Sequence, residues 1–197
     1  PNPVSADRNE VRDVFVRDRE GEHTRRVCLG AAGIEANGTS QPGGRGPAMD
    51  WSGQIVAFSS LASNLVAGDN NGVEDVFVCQ GAEAEPIRIS IGPGGDEAND
   101  PSVVGDISMD GCCVVFQSLA SNLVPGDTNG VADIFFFDRC HDRLSLVSTT
   151  TSGALANGDS ITPAISGDCR VVAFASAASN LVEGDRNGLI DIFVRDL

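Results

Sequence analysis

The chain has 197 residues, of which 41% are hydrophobic and 21% charged, so it can bury a core and is neither disordered nor collagen-like. All 13 basic residues are Arg, and 28 carboxylates give a formal net charge of -15. Such a surface repels phosphate backbones and anionic lipids, which argues against nucleic-acid partners and membrane insertion and makes a cation the more natural ligand.

The dominant feature of the sequence is an internal repeat. The string Ser-Asn-Leu-Val begins at Ser63, Ser121 and Ser179, so its three copies are equally spaced. An earlier copy, in which Asp7 matches Asp69, precedes them at a slightly longer interval. The four extra residues fall in the Gly/Pro-rich stretch 41–47, a predicted loop insertion. The chain is therefore predicted to be a repeat array.

The repeat divides the chain into four units, each built on the four-stranded pattern of a blade. In chain order, they are a partial blade over 1–29 with strands three and four, and complete blades over 30–90 and 91–148. The last unit, over 149–197, is a partial blade with strands one to three. The blade at 91–148 shows four short runs rich in Val, Ile and Phe, at Val103–Ser108, Cys113–Ser118, Asp133–Phe137 and Leu144–Ser148. The runs are too short for helices. Four strands per repeat are typical of a β-propeller blade. We therefore predict an all-β fold, one propeller domain of four-stranded antiparallel blades, with about three blades plus partial ones in this chain.

The last repeat carries the most characteristic residue pattern. It contains Pro-Ala-Ile-Ser-Gly-Asp at 163–168, Val-Val-Ala-Phe at 171–174, Ser-Asn-Leu-Val at 179–182 and Asp-Ile-Phe-Val-Arg-Asp at 191–196. These segments resemble the repeats of the TolB-type, WD-repeat-like bacterial β-propeller family, and the resemblance covers essentially the whole chain. It implies the propeller fold but little about activity, because that family includes periplasmic scaffolds, peptidase-associated propellers and secreted proteins of unknown role.

The loop between the second and third strands follows the pattern Gly-Asp-x-Asn-Gly-x-x-Asp, with a variant in the first unit. Positions in this loop are counted from its first Asp, so that the Asp, Asn and second Asp stand at positions 1, 3 and 7. Their side-chain oxygens are ligands that a hard cation such as Ca²⁺ prefers. The structural alternative is that Asn-Gly forms a plain turn while the two Asp accept backbone N–H bonds. The candidate metal ligands are Asp7, Asn9, Asp13, Asp69, Asn71, Asp75, Asp127, Asn129, Asp133, Asp185, Asn187 and Asp191.

Six Cys in an acidic chain without Lys favour an oxidising compartment, so a secreted, extracellular or periplasmic location is expected. The start of a second strand lies beside the end of the third in an antiparallel blade, which predicts a disulfide between Cys112 and Cys140. Cys113 matches core positions of the other repeats, so it is expected to be a core thiol or half of a strained bond.

Support for catalysis is weak. His23 and His141 both fall in predicted turns, and the adjacent side chains of Cys140 and His141 diverge on an extended chain and cannot form a nucleophile–base pair. The sequence contains no Gly-x-Ser-x-Gly, P-loop or His-Glu-x-x-His motif. We therefore expect no enzyme and no catalytic residues.

The partial blades at both ends carry unpaired strand edges, which favour association. The expected function is a non-catalytic extracellular propeller with a structural or self-assembly role, stabilised by calcium. Its partners are expected to be further copies of itself, in a ring or filament, or further repeats of a longer chain. A glycan- or protein-binding module is one alternative, and a fragment of a propeller-fold hydrolase is another.

Overall fold

A computed structural model describes residues 7–27, 29–42, 46–81 and 84–197 of the chain. Within these residues, 13 strands form four antiparallel sheets of two, four, four and three strands, and two short 3₁₀ helices lie in the connections. The predicted all-β architecture of four-stranded antiparallel blades is confirmed. Residues 1–6, Cys28 and part of the predicted insertion at 41–47 lie outside the described residues.

Each sheet corresponds to one blade. Blade 1 pairs β1 (Phe15–Asp18) with β2 (His23–Arg26). Blade 2 contains β3 (Ala48–Met49), β4 (Ile55–Ser60), β5 (Asp75–Gln80) and β6 (Ile87–Arg88). Blade 3 contains β7 (Ser102–Ile107), β8 (Cys113–Ser118), β9 (Asp133–Asp138) and β10 (Arg143–Leu146). Blade 4 contains β11 (Ser160–Ile165), β12 (Val171–Ser176) and β13 (Asp191–Asp196).

The repeat is visible in the pairing of the second and third strands of blades 2, 3 and 4. A Phe on the second strand lies directly opposite a Phe on the third. The ring centroids are 5.7, 5.5 and 5.9 Å apart in the pairs Phe58–Phe77, Phe116–Phe135 and Phe174–Phe193. Identical cross-strand pairs stabilise the same strand alignment in these three blades.

The described residues form three apolar core clusters, each between two consecutive blades. Because side chains alternate along a strand, Val76 packs on blade 3 while its neighbour Phe77 packs on blade 1. Ile134 and Phe135 repeat this division one blade later. We call the side of a blade that packs on the following blade its forward face, and the opposite side its backward face.

The first strands of blades 3 and 4, β7 and β11, approach each other closely at Gly105. A Cβ at this position would lie 2.5 Å from Pro163 of β11, so no larger residue fits without displacement. Gly105 also coincides with an irregularity in the pairing of β7 with β8.

Two disulfides reinforce blade 3. Cys112 and Cys140 are bonded, which confirms the predicted pairing. Cys113 is not a free core thiol, because it is bonded to Cys169 of blade 4 and so joins two blades. Among the described residues the thiol of Cys79 is free and buried, and burial raises its pKa to about 12. Two disulfides are compatible with an extracellular or periplasmic protein.

Candidate cation-binding loops

The four Asp-containing loops share one hydrogen-bond arrangement around the Asn at position 3. Its Nδ2 group donates to the Asp at position 7, as in Asn71 to Asp75 at 2.8 Å and Asn129 to Asp133 at 2.7 Å. Its Oδ1 atom accepts the backbone N–H two residues later, for example that of Val131 at 3.3 Å. The corresponding bonds form at Asn9, Asp13, Asn187 and Asp191. The Asn therefore closes a turn, as in the structural alternative, and offers its donors to the carboxylate.

The Asp at position 7 begins the third strand and is fully buried in blades 2 and 3. Asp75 accepts the hydroxyl of Ser90, and Asp133 accepts that of Ser148, with both oxygen pairs 2.5 Å apart. Each Ser hydroxyl also accepts a backbone N–H from the third strand. These carboxylates thus connect the loop with the segment that follows the fourth strand.

An Arg that the sequence reasoning missed lies among the carboxylates in blade 2. Arg88 ends β6, and its Nη1 atom lies 3.0 Å from Asp69, 3.3 Å from Asp75 and 2.9 Å from Glu97. The Arg88 side chain is only 7% exposed. Burial raises the pKa of Asp69, an effect that the positive charge of Arg88 partly offsets. A hydrogen bond from the backbone N–H of Asn70, together with Arg88, lowers the pKa of Glu97.

Blade 1 repeats this network. Arg26 lies 2.9 Å from Asp13, 2.6 Å from Glu35 and 3.4 Å from Asp7. The alignment that matches Asp7 with Asp69 also matches this Arg and this Glu with their blade 2 counterparts. In blades 1 and 2, therefore, a guanidinium from the same chain supplies the positive charge for the predicted ligands.

Blade 3 lacks both partners. The alignment that matches Asp69 with Asp127 places Leu146 at the position of Arg88 and Leu155 at that of Glu97. Asp127 is 7% exposed, and its buried Oδ1 atom has no hydrogen-bond partner among the described residues. Burial raises the pKa of both Asp127 and Asp133. This loop keeps its two inward-facing carboxylates without the cation that balances them in the other two blades.

The fourth loop is more open. Asp185 and Asp191 are half-buried and Asn187 is exposed, with its Nδ2 atom 2.8 Å from Asp191. Within the described ranges, no three or more His, Cys, Asp or Glu side chains are arranged to hold a metal ion. A cation in any of these loops would therefore need backbone carbonyls or water as additional ligands.

Both His residues are exposed, and His141 lies in a turn as predicted, whereas His23 belongs to a strand. The Nδ1 atom of His141 is 2.8 Å from Asp138, beside the turn between β9 and β10. Cys140 is held in the disulfide with Cys112, so it is not available as a nucleophile. His23 begins β2 and is exposed.

The end of the blades opposite the Asp loops carries an exposed apolar patch. Trp51 is 84% exposed and lies in the turn between β3 and β4, next to the 53% exposed Met49. Its backbone N–H donates to the carbonyl of Met109, itself 59% exposed in the equivalent turn of blade 3. The patch thus spans two blades. In the part of the chain that the structure covers, no helix is long and apolar enough to cross a membrane.

The fold is shared with solved β-propeller structures. A putative TolB from Agrobacterium tumefaciens matches with a TM-score of 0.52 and 18% identity, over 89% of this chain and 47% of that one. TolB from Acinetobacter baumannii matches with a TM-score of 0.50 and 15% identity, over 93% and 35% of the two chains. Tricorn protease matches with a TM-score of 0.50 and 13% identity, over 94% of this chain and 15% of that one.

These likenesses concern the fold alone, because all three identities are low. The chain spans less than half the length of each of these proteins. No protein-family model matches the sequence, and no curated protein matches it. One of the similar structures is a protease, so the fold by itself does not decide between a catalytic and a non-catalytic role. The expected resemblance is confirmed at the level of structure: the chain has a TolB-like β-propeller fold.

Proposed function

We propose that the protein is a non-catalytic structural propeller segment of an extracellular or periplasmic compartment, and that it associates head to tail with further copies of itself. The observation that carries this proposal is the exposed forward face of blade 4. The two disulfides support the oxidising compartment.

The forward face of blade 4 consists of Ile190, Ile192 and Val194, which are 61%, 73% and 67% exposed. The equivalent residues of the preceding repeat, in blade 3, are Ala132, Ile134 and Phe136, which are buried or half-buried. Ile134 is fully buried and packs in one cluster with Val172 and Phe174 of blade 4. Exposed apolar surface of this kind is typical of an interaction site, and the repeat identifies a backward face as its complement.

The chain also presents the complementary half of this contact. In the repeat alignment, Phe15 of blade 1 is equivalent to Phe77 of blade 2 and to Phe135 of blade 3. Phe77 and Phe135 both pack on the preceding blade. A contact between the forward face of one copy and the backward face of the next is heterologous, so it closes into a ring or continues as a filament.

Light scattering on purified protein tests this association. We expect the mass to rise with concentration in the micromolar range, and we expect Ile192→Asp with Val194→Asp to give a folded monomer because a charge on this face is costly to bury. Ile87→Asp is the matched control, since Ile87 is an exposed apolar strand residue of blade 2 at 49% exposure. A wild-type protein that stays monomeric throughout would refute the proposal and leave further repeats of a longer chain as the partner.

The apolar patch around Trp51 favours a second candidate, a glycan-binding module. Trp51, Arg17 and Gln54 line a cavity of about 460 Å³, and an exposed indole ring offers a flat apolar face for a sugar. Trp51 is the only Trp of the chain, so its fluorescence reports directly on this cavity. A change in its emission with oligosaccharides would support the binding module, and an unchanged emission across a broad panel would argue against it.

A further inference from the structure

The third loop has lost a positive charge that the equivalent loops of blades 1 and 2 contain. Arg88 bridges Asp69, Asp75 and Glu97, with distances of 2.9 to 3.3 Å from one Nη1 atom to the three carboxylates. In blade 3 the Arg and the Glu are both replaced, by Leu146 and Leu155. The two Asp are retained.

The carboxylates of blade 3 remain buried. Asp133 is fully buried and Asp127 is 7% exposed. Oδ2 of Asp133 accepts from Asn129 and Oδ1 accepts from Ser148, so this group is held as in blade 2. Within the described part of the chain, Oδ1 of Asp127 is buried without a hydrogen-bond partner, whereas Oδ1 of its blade 2 equivalent, Asp69, contacts Arg88 at 3.0 Å. A buried, unpartnered carboxylate oxygen is costly unless a cation or donor reaches it.

One acidic side chain beside the third loop has no counterpart in the second. This residue is Asp159, and the equivalent position in blade 2 is Pro101. The Oδ1 atom of Asp159 accepts the N–H of Ala132 at 2.9 Å, which holds this carboxylate beside the loop. The position of Arg88 is taken in blade 3 by Leu146, which packs against the apolar cluster between blades 2 and 3.

We propose that blade 3 binds one hard divalent cation, with Ca²⁺ the preferred ion, at the place equivalent to the guanidinium of Arg88. Asp127 and Asp133 supply the carboxylate ligands. The carbonyl of Gly126 is a third ligand, since the equivalent carbonyl of Gly68 accepts from Nη2 of Arg88 at 3.4 Å. Water completes the coordination, as is common for Ca²⁺. The calcium expected from the sequence is thus proposed for the third loop. In the first two loops, the guanidinium of an Arg provides the positive charge beside the carboxylates.

Calorimetric titration of chelator-stripped protein with CaCl₂ tests the site. We expect one Ca²⁺ per chain, and at a concentration about 100 times the dissociation constant we expect the folding equilibrium constant to rise about 100-fold. NaCl at equal ionic strength controls for screening of the net charge of -15. Absence of calcium binding, or a stability that responds equally to NaCl, would overturn the proposal.

Two variants locate the cation. Asp127→Asn should abolish the calcium response, whereas the matched change Asp69→Asn in blade 2 should leave it intact. Leu146→Arg with Leu155→Glu rebuilds the blade 2 network, so this double variant should be more stable without calcium and should no longer respond to it. The double variant still tests the site if Asp127→Asn does not fold. Calcium binding that survives both changes would overturn the assignment.

This site is independent of the head-to-tail contact, because its residues do not belong to the forward face of blade 4. The double variant Ile192→Asp with Val194→Asp should therefore bind calcium like the wild type. Failure of the site and failure of self-association are thus observed separately.

Discussion

At the residue scale, the clearest feature is that equivalent loop carboxylates have a buried Arg beside them in blades 1 and 2 and a Leu at the same sequence position in blade 3. Arg88 shares its guanidinium among Asp69, Asp75 and Glu97, and all three lie within 3.3 Å of one nitrogen atom. Blade 3 retains the corresponding Asp residues and replaces the Arg and the Glu together. The joint loss is physically consistent, because a Glu without its Arg would add another uncompensated charge.

Arg88→Leu tests how much this network stabilises the fold. Removing the Arg leaves buried carboxylates without a counter-charge, so we expect a loss of about 3–5 kcal/mol in the free energy of unfolding, measured by urea denaturation. The control is Arg143→Leu, at an exposed position of β10, for which we expect less than about 0.5 kcal/mol. Similar losses for the two variants would show that the buried network is not stabilising.

Glu74 gives a prediction about pH. Its side chain is 9% exposed, Oε1 has no hydrogen-bond partner among the described residues, and burial raises the pKa of Glu74 to about 7. Between the unfolded pKa of 4.5 and about 7, the native state holds a proton that the unfolded state has released, so stability falls as pH rises through this range. The loss amounts to about 3 kcal/mol when complete.

Glu74→Gln removes this titration. Its free energy of unfolding should therefore exceed that of the wild type at pH 8 and approach it at pH 4, when both are followed by urea denaturation at several pH values. The wild-type-minus-variant difference isolates Glu74 from the other carboxylates. A difference that does not change with pH would contradict the assignment.

At the scale of elements, one disulfide links two turns within a blade and the other links two neighbouring blades. Cys112–Cys140 joins the two turns at one end of blade 3, whereas Cys113–Cys169 fastens blade 3 to blade 4 across 56 residues of sequence. The second bond therefore limits separation of neighbouring blades. Among the described residues blade 4 contains the three strands β11 to β13, and we expect it to depend more on this link than the four-stranded blades do.

We expect Cys113→Ala with Cys169→Ser to destabilise the protein by about 4 kcal/mol, because a loop of this length is then free in the unfolded state. Amide hydrogen exchange should rise most in β11 to β13, since blade 4 loses its covalent link. Cys112→Ala with Cys140→Ser opens a shorter loop and serves as the comparison, with exchange rising near the turns of blade 3. Equal protection of blade 4 in both variants would contradict the role given to Cys113–Cys169.

Much of the element arrangement is predictable from sequence, because apolar periodicity and repeat spacing determine it directly. The predicted Cys113–Ser118 strand has the observed bounds, and the predicted Cys112–Cys140 bond follows from antiparallel adjacency within one blade. The Cys113–Cys169 bond depends on how blade 3 packs against blade 4. The alternation of side chains along a strand does not specify that packing. The role of Arg88 is not predicted from the loop pattern, because Arg88 lies on β6 and not in the loop between β4 and β5. Alignment of the first two repeats does reveal it, since Arg88 and Glu97 match Arg26 and Glu35.

At the scale of the whole molecule, consecutive blades are joined by the same contact three times, forward face to backward face. In the proposed head-to-tail association, the exposed forward face of blade 4 would pack on the backward face of blade 1, where Phe15 is half-buried. A contact between unlike surfaces has a property that a symmetric dimer lacks: each half can be blocked separately.

A mixing experiment tests head-to-tail association most directly. One variant carries Ile192→Asp and Val194→Asp, which block the forward face, and the other carries Phe15→Asp, which blocks the backward face. Circular dichroism first confirms that both are folded, and sedimentation velocity then measures each alone and the equimolar mixture. We predict that each variant alone is a monomer and that the mixture forms a one-to-one dimer and nothing larger. Two monomers that remain separate on mixing, or a variant that still self-associates alone, would contradict the account.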